Sequence, residues 1–149
     1  MGILNLTPDS FSDGGIYNVP EKAVEHAFRL LDEGASWLDI GAESSRPGSD
    51  AVSEGEELDR LMPVVEEILK QKPDTVISVD TYKSGVASAA LKSGCAIIND
   101  ISAGDFDKKM IPTVAARPLR TSAKARSTRP ASGISASGSL AVSGVIRQR

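Results

Sequence analysis

A few polar residues stand where chemistry could be done. Asn5, Asp39, Asp80 and the pair Asn99-Asp100 each fall at the end of a short apolar run. A carboxylate beside an amide can hold the ring N–H and amino groups of a planar heterocycle. Asp80 and Asn99 suit this best, because each ends a strongly apolar run; capping the helix that follows is their competing use. Asn5 could offer its carbonyl oxygen to a hard cation such as Mg²⁺, leaving the rest of the shell to water and a phosphate. An asparagine there also starts turns. In "ESSRPGS", Arg46 stands with Ser44, Ser45 and Gly48 in a composition that suits a phosphate or carboxylate, or simply exposes an arginine. After Asn5 comes a polar run, Pro8 to Asp13, closed by Gly14-Gly15. It exceeds the ~2–6 residues usual between a strand and a helix, and long loops in compact domains are disproportionately functional. Asp9 and Asp13 could act there as acids or ligands, although turn chemistry explains them nearly as well.

These residues need elements that bring them together. Residues 3–6 read as a strand. Helical spacing then runs from Pro20 through Val24, Ala27, Phe28 and Leu31, with Gly34 as its stop. Residues 35–40 form a second strand. A longer amphipathic helix follows, carrying Leu58, Leu61, Met62, Val65, Ile68 and Leu69, with Ser53 as N-cap and Glu56 three residues on. Residues 75–80 are a third strand, 83–93 a third helix ended by Gly94, 95–99 a fourth strand and 107–114 a short fourth helix. Such alternation means a parallel sheet with right-handed crossovers. Parallel strands align their C-terminal ends on one rim, which is where a (β/α)₈ barrel builds its site. A doubly wound sheet is the weaker reading, because GxGxxG does not follow the first strand. The expected fold is therefore α/β, the N-terminal half of a (β/α)₈ TIM barrel made of about four βα units.

Composition divides the chain. All 20 acidic residues lie at or before Asp107, which leaves residues 1–114 at −10 and residues 115–149 at +7. In the second segment 27 of 35 residues are Ala, Ser, Arg, Gly, Thr or Pro, too little apolar surface to offset the entropy of ordering. The expectation is a domain over 1–114 and a disordered, low-complexity basic tail over 115–149, or an out-of-frame extension. No aromatic interleaves the tail's arginines, so a nucleic-acid reader is not expected. No apolar run approaches the ~18 residues of a membrane span, and the N-terminal residues lack the basic segment and apolar h-region of a signal peptide, so none is expected. With one cysteine, Cys95, the default is a soluble cytoplasmic protein. His26, a single histidine between apolar positions, reads as structural or solvated, Cys95, with no histidine nearby in sequence, as core, and Trp37 as packing between sheet and helix.

Four segments, "NLTPDSFSDGG", "ESSRPGS", "SVDTYK" and "IND", occur in the order and at the strand ends seen in dihydropteroate synthases, the sulfonamide-target enzymes of folate biosynthesis. The chain resembles that family over residues 1 to about 114. The resemblance implies a (β/α)₈ barrel and a transferase that joins 6-hydroxymethyl-7,8-dihydropterin pyrophosphate to 4-aminobenzoate, giving 7,8-dihydropteroate and pyrophosphate. It implies that Asn5 binds Mg²⁺, that Asp80 and Asn99 hydrogen-bond the pterin, and that Ser45 and Arg46 lie near the phosphates and aminobenzoate. Phe11 would help form the aminobenzoate pocket. The family's Met-His-Met motif, a further pterin-binding Asp, a Lys and a late Arg-x-His are not visible in this sequence. The expectation is a chain with little or no turnover of its own. Alternatives are a non-catalytic pterin- or phosphate-binding fragment and an unstable remnant. Small-molecule substrates are expected as partners, nucleic acid and membrane are not, and a homodimer follows from the resemblance.

Overall fold

The computed structural model describes residues 1–7, 19–44 and 51–116. Element order is β1 (Gly2–Asn5), α1 (Val19–Asp32), β2 (Leu38–Gly41), α2 (Glu54–Gln71), β3 (Ile77–Asp80), α3 (Ser84–Ser93), β4 (Ile97–Asn99) and α4 (Met110–Ala115). The strands form one parallel sheet in the order β1-β2-β3-β4. A sequential order with like-handed crossovers puts every helix on the same face, as along the arc of a barrel; a doubly wound sheet reverses its order and covers both faces. Consistent with this, α1 packs on α2, α2 on α3 and α3 on α4.

Strand pleat sorts the residues. Leu4, Leu38, Ile40, Ile77, Val79 and Ile98 point toward the helices, where they join Ala27, Leu61, Val65, Ile68, Val86 and Ala90 in the core. Each large side chain buried there contributes roughly 1.5–3 kcal/mol. In register on the opposite face lie Ile3, Asp39, Ser78 and Ile97, and above them Asn5, Gly41, Asp80 and Asn99. The rim expected from sequence is thus one row across the sheet. Asp39 lies a row below it, because β2 continues to Gly41.

Three strands begin later than their apolar runs suggest. The first residues of each run are used to close the preceding helix: Ala35 N–H donates to Leu30 O, Thr75 N–H to Lys72 O and Cys95 N–H to Ala90 O. Gly34 and Gly94 take the left-handed conformations (φ 105° and 114°) that such stops require. Ser53 caps α2 as its sequence implies, its hydroxyl accepting from Glu56 N–H at 3.2 Å. The Glu56 carboxylate does not reach back to complete a capping box; it pairs with Arg60 one turn on. Cys95 is buried in the core, His26 is half-buried on α1, and Trp37 is half-buried where its carbonyl accepts Gly2 N–H. Helix α4 runs one residue past the boundary expected at 114, and the tail from 117 onward lies outside the described residues. Among the described residues, no helix is long and apolar enough to cross a membrane.

Candidate functional site

The upper row of the sheet is the candidate site. Asn5 is exposed at the end of β1, Gly41 ends β2 without a side chain, and Asp80 and Asn99 stand side by side on β3 and β4. A Cβ on Gly41 would touch the Asp80 side chain at 3.4 Å, so glycine leaves room beside that carboxylate. Asn99 is 4% exposed and donates from Nδ2 to Asp39 Oδ2 at 3.1 Å. This contact fixes the amide's orientation and leaves its oxygen as an acceptor. Among the described residues, Asn99 Oδ1, Asp39 Oδ1 and Ser78 Oγ are buried without a hydrogen-bond partner. Orphaned buried acceptors are costly and rare, and a cluster of them implies a donor-rich ligand or bound water.

Burial raises the Asp80 carboxyl from its ordinary 3.8 to about 6, and the nearby Asp39, Glu57, Asp100 and Glu43 carboxylates push the same way. Asp100 adds charge but no free ligand atom. Its Oδ1 accepts from Ser102 N–H and Oγ, and its Oδ2 from Gly104 N–H, each at 2.8 Å, which holds the turn through Ala103 and Gly104 at positive φ.

Just past the end of β3 lies a group that sequence reasoning missed. Lys83 pairs with Glu43 and with Glu57, the latter at 2.5 Å, and Tyr82 donates its hydroxyl to Glu43 at 2.8 Å. Burial works to lower the Lys83 ammonium, but the two carboxylates outweigh it and hold it above the usual lysine range. Burial likewise works to raise Glu43, yet hydrogen bonds from Lys83, Tyr82 and Val52 N–H bring it below its ordinary value. A signal was present in the sequence. Glu57 falls on the same stripe of α2 as Leu61, Val64, Val65 and Ile68, and a charge within an apolar stripe demands a partner.

The structure therefore brings Asn5, Asp80 and Asn99 into one row and adds Asp39 beneath them. Ser45, Arg46 and Phe11 lie outside the described residues, as do Asp9 and Asp13. Among the described residues, no three His, Cys, Asp or Glu side chains converge to hold a metal. Asn5 supplies one exposed, neutral oxygen, which fits only the mode in which Mg²⁺ takes a single protein ligand and completes its shell with water and phosphate.

A barrel arc whose strand ends carry an acceptor-lined row defines a protein of the β/α class. A family model described as "Pterin binding enzyme" matches residues 1–133, and the chain belongs to that family. It is 54% identical over 115 residues to the dihydropteroate synthase of Bacillus subtilis (strain 168), covering 77% of this chain and 40% of that protein. Among solved structures, Xanthomonas albilineans dihydropteroate synthase with 4-aminobenzoic acid superposes with a TM-score of 0.72 at 49% identity, over 77% of this chain and 42% of that one. The Anaplasma phagocytophilum enzyme with bound 6-hydroxymethylpterin-monophosphate gives 0.69 at 40% identity, over 77% and 44%. The chain spans about two fifths of the length of these relatives.

Proposed function

We propose that this chain carries the pterin-holding rim of a dihydropteroate synthase. The observation that carries the reading is the unsatisfied acceptor set. Among the described residues, Asn99 Oδ1 and Asp39 Oδ1 are buried without partners beside the Asp80 carboxylate. A pterin presents the complement, an amino group and ring N–H donors along one edge. An ionised Asp80 accepts from that edge, Asn99 accepts beside it, and Asp39 holds the Asn99 amide in place. Ser45 and Arg46 are the residues for the phosphates and aminobenzoate, and Phe11 for the aminobenzoate pocket. Mg²⁺, held through Asn5 and the substrate's own oxygens, would neutralise pyrophosphate charge. In the full reaction the aminobenzoate nitrogen attacks the pterin methylene carbon, the C–O bond to pyrophosphate breaks, and the nitrogen gives up a proton.

A chain that covers about two fifths of its relatives' length is proposed to bind the pterin with little or no turnover. A cytoplasmic setting and assembly as a homodimer belong to the same reading. The domain is proposed to occupy 1–114, with 115–149 as a basic tail outside it.

The test is calorimetric titration of the whole chain with 6-hydroxymethylpterin monophosphate, beside a turnover assay with 4-aminobenzoate. One saturable site is expected, weakened about a hundredfold in Asp80→Asn, together with no dihydropteroate. Absence of binding, or binding indifferent to Asp80, overturns the assignment of the rim. Dihydropteroate formed by the pure chain overturns the claim that it binds without turnover.

A further inference from the structure

The turn after Asp80 is held by more elements than a strand-to-helix connection requires. Thr81 N–H donates to Asn99 O of β4 at 3.0 Å. Tyr82 reaches Glu43 through its hydroxyl, and its ring meets Phe106 edge-on at 5.5 Å between centroids. Lys83 N–H donates to Thr81 Oγ1 at 3.2 Å, while its ammonium spans Glu43 and Glu57. Ser84 N–H donates to Asp107 Oδ2 at 2.8 Å. These consecutive residues are tied in turn to β4, to the segment after β2, to α2 and to the loop before α4.

Lys83 makes the longest of these ties with a single side chain. Glu57 is 1% exposed, and a carboxylate buried that deeply is strongly unfavourable without a cation beside it. The position of the ammonium is therefore dictated by two carboxylates, one after β2 and one on α2. Buried ion pairs stabilise a fold little better than apolar side chains of the same volume, so what this group contributes is fixed geometry. The geometry it fixes is that of the turn leaving Asp80, which is also hydrogen-bonded to Asn99.

We propose that Lys83 is a positioning residue for the ring-binding pair, locking the Thr81–Ser84 turn to the segment after β2 and to α2 so that Asp80 and Asn99 keep one spacing. The inference rests on the pterin reading of the rim, and it touches the ligand only through those two residues.

The test compares Lys83→Met and Lys83→Arg in the whole chain with two readouts: amide exchange by NMR, and affinity for 6-hydroxymethylpterin monophosphate. In Lys83→Met, the Thr81 and Ser84 amides are expected to exchange at least tenfold faster while Ala27 on α1 is unchanged. Affinity is expected to fall about tenfold. Lys83→Arg, which also reaches two carboxylates, should restore both. Equal acceleration at Ala27 marks a general loss of stability and overturns the proposal, as do unchanged Thr81 and Ser84 amides. Should Lys83→Met fail to fold, Glu43→Gln removes one of the two charge pairs and should give the same local pattern, smaller in size; a uniform change there overturns the proposal. If the wild-type chain binds no pterin monophosphate, the rim reading falls, and the exchange pattern still decides whether Lys83 fixes the turn.

Discussion

The two faces of one four-stranded sheet obey different rules. Toward the helices, Leu4, Leu38, Ile40, Ile77, Val79 and Ile98 are buried, each against apolar neighbours. On the other face Ile3 is 57% exposed, Asn5 is exposed, and Asp39, Ser78 and Asn99 carry buried polar atoms without partners among the described residues. Every residue of the first face lowers the free energy of folding. Several of the second raise it, and a fold carries that kind of cost where a ligand is to be met. Adjacent residues of the same strand belong to opposite regimes, because side chains alternate across the pleat.

Breaking the apolar face should have the largest effect. Ile40→Ala removes a side chain that is fully buried between sheet and helices. It is expected to lower stability by about 3 kcal/mol, read as a reduced urea midpoint with an unchanged slope.

The acceptor face should respond in the opposite direction. The Asp80 carboxyl sits at 3.8 ordinarily and at about 6 in the folded chain. Between those values the folded chain binds more protons than the unfolded one. The contribution of this group to stability is therefore greatest below about pH 4, falls as pH rises through about 6, and stays lower above it. Asp80→Asn removes this penalty. The variant is expected to gain roughly 1–2 kcal/mol at pH 7, after allowing for partial solvent screening, and nothing at pH 4. Denaturation at the two pH values checks it, and a variant less stable than wild type at pH 7 would contradict the contrast between the faces. The smallest effect is expected from Ser78→Ala. Its hydroxyl is buried and unpartnered among the described residues, so removing it should change stability by less than about 0.5 kcal/mol in either direction.

The sequence made the apolar face easier to read than the polar one. Val24, Ala27, Leu61, Val65 and Ile68 announce their helices through spacing alone, and Ser53 announces where α2 begins. Asp80 and Asn99 were legible because each falls at the end of an apolar strand. Asp39 looked equivalent and is not, since β2 runs two residues past it to Gly41, which puts it a row down, where it orients Asn99 instead of ending the strand. That distinction depends on register between strands distant in sequence. The Glu43–Lys83–Glu57 group was hidden for a similar reason. Its members come from separate segments and meet only after α2 has docked against α3.

The cap of α3 has a consequence for how the units of this fold depend on one another. No side chain of the preceding segment caps the helix; the Asp107 carboxylate does so from 23 residues further along the chain, beyond β4. The βα units are therefore not interchangeable bricks. During synthesis from the N-terminus, the third helix is complete in sequence while its first turn still lacks a partner, and it gains one only when the fourth unit has folded back. An exchange of segments between related chains that separated Ser84 from Asp107 would leave that first turn to fray, whereas a junction placed after Asp107 would keep both in the same piece.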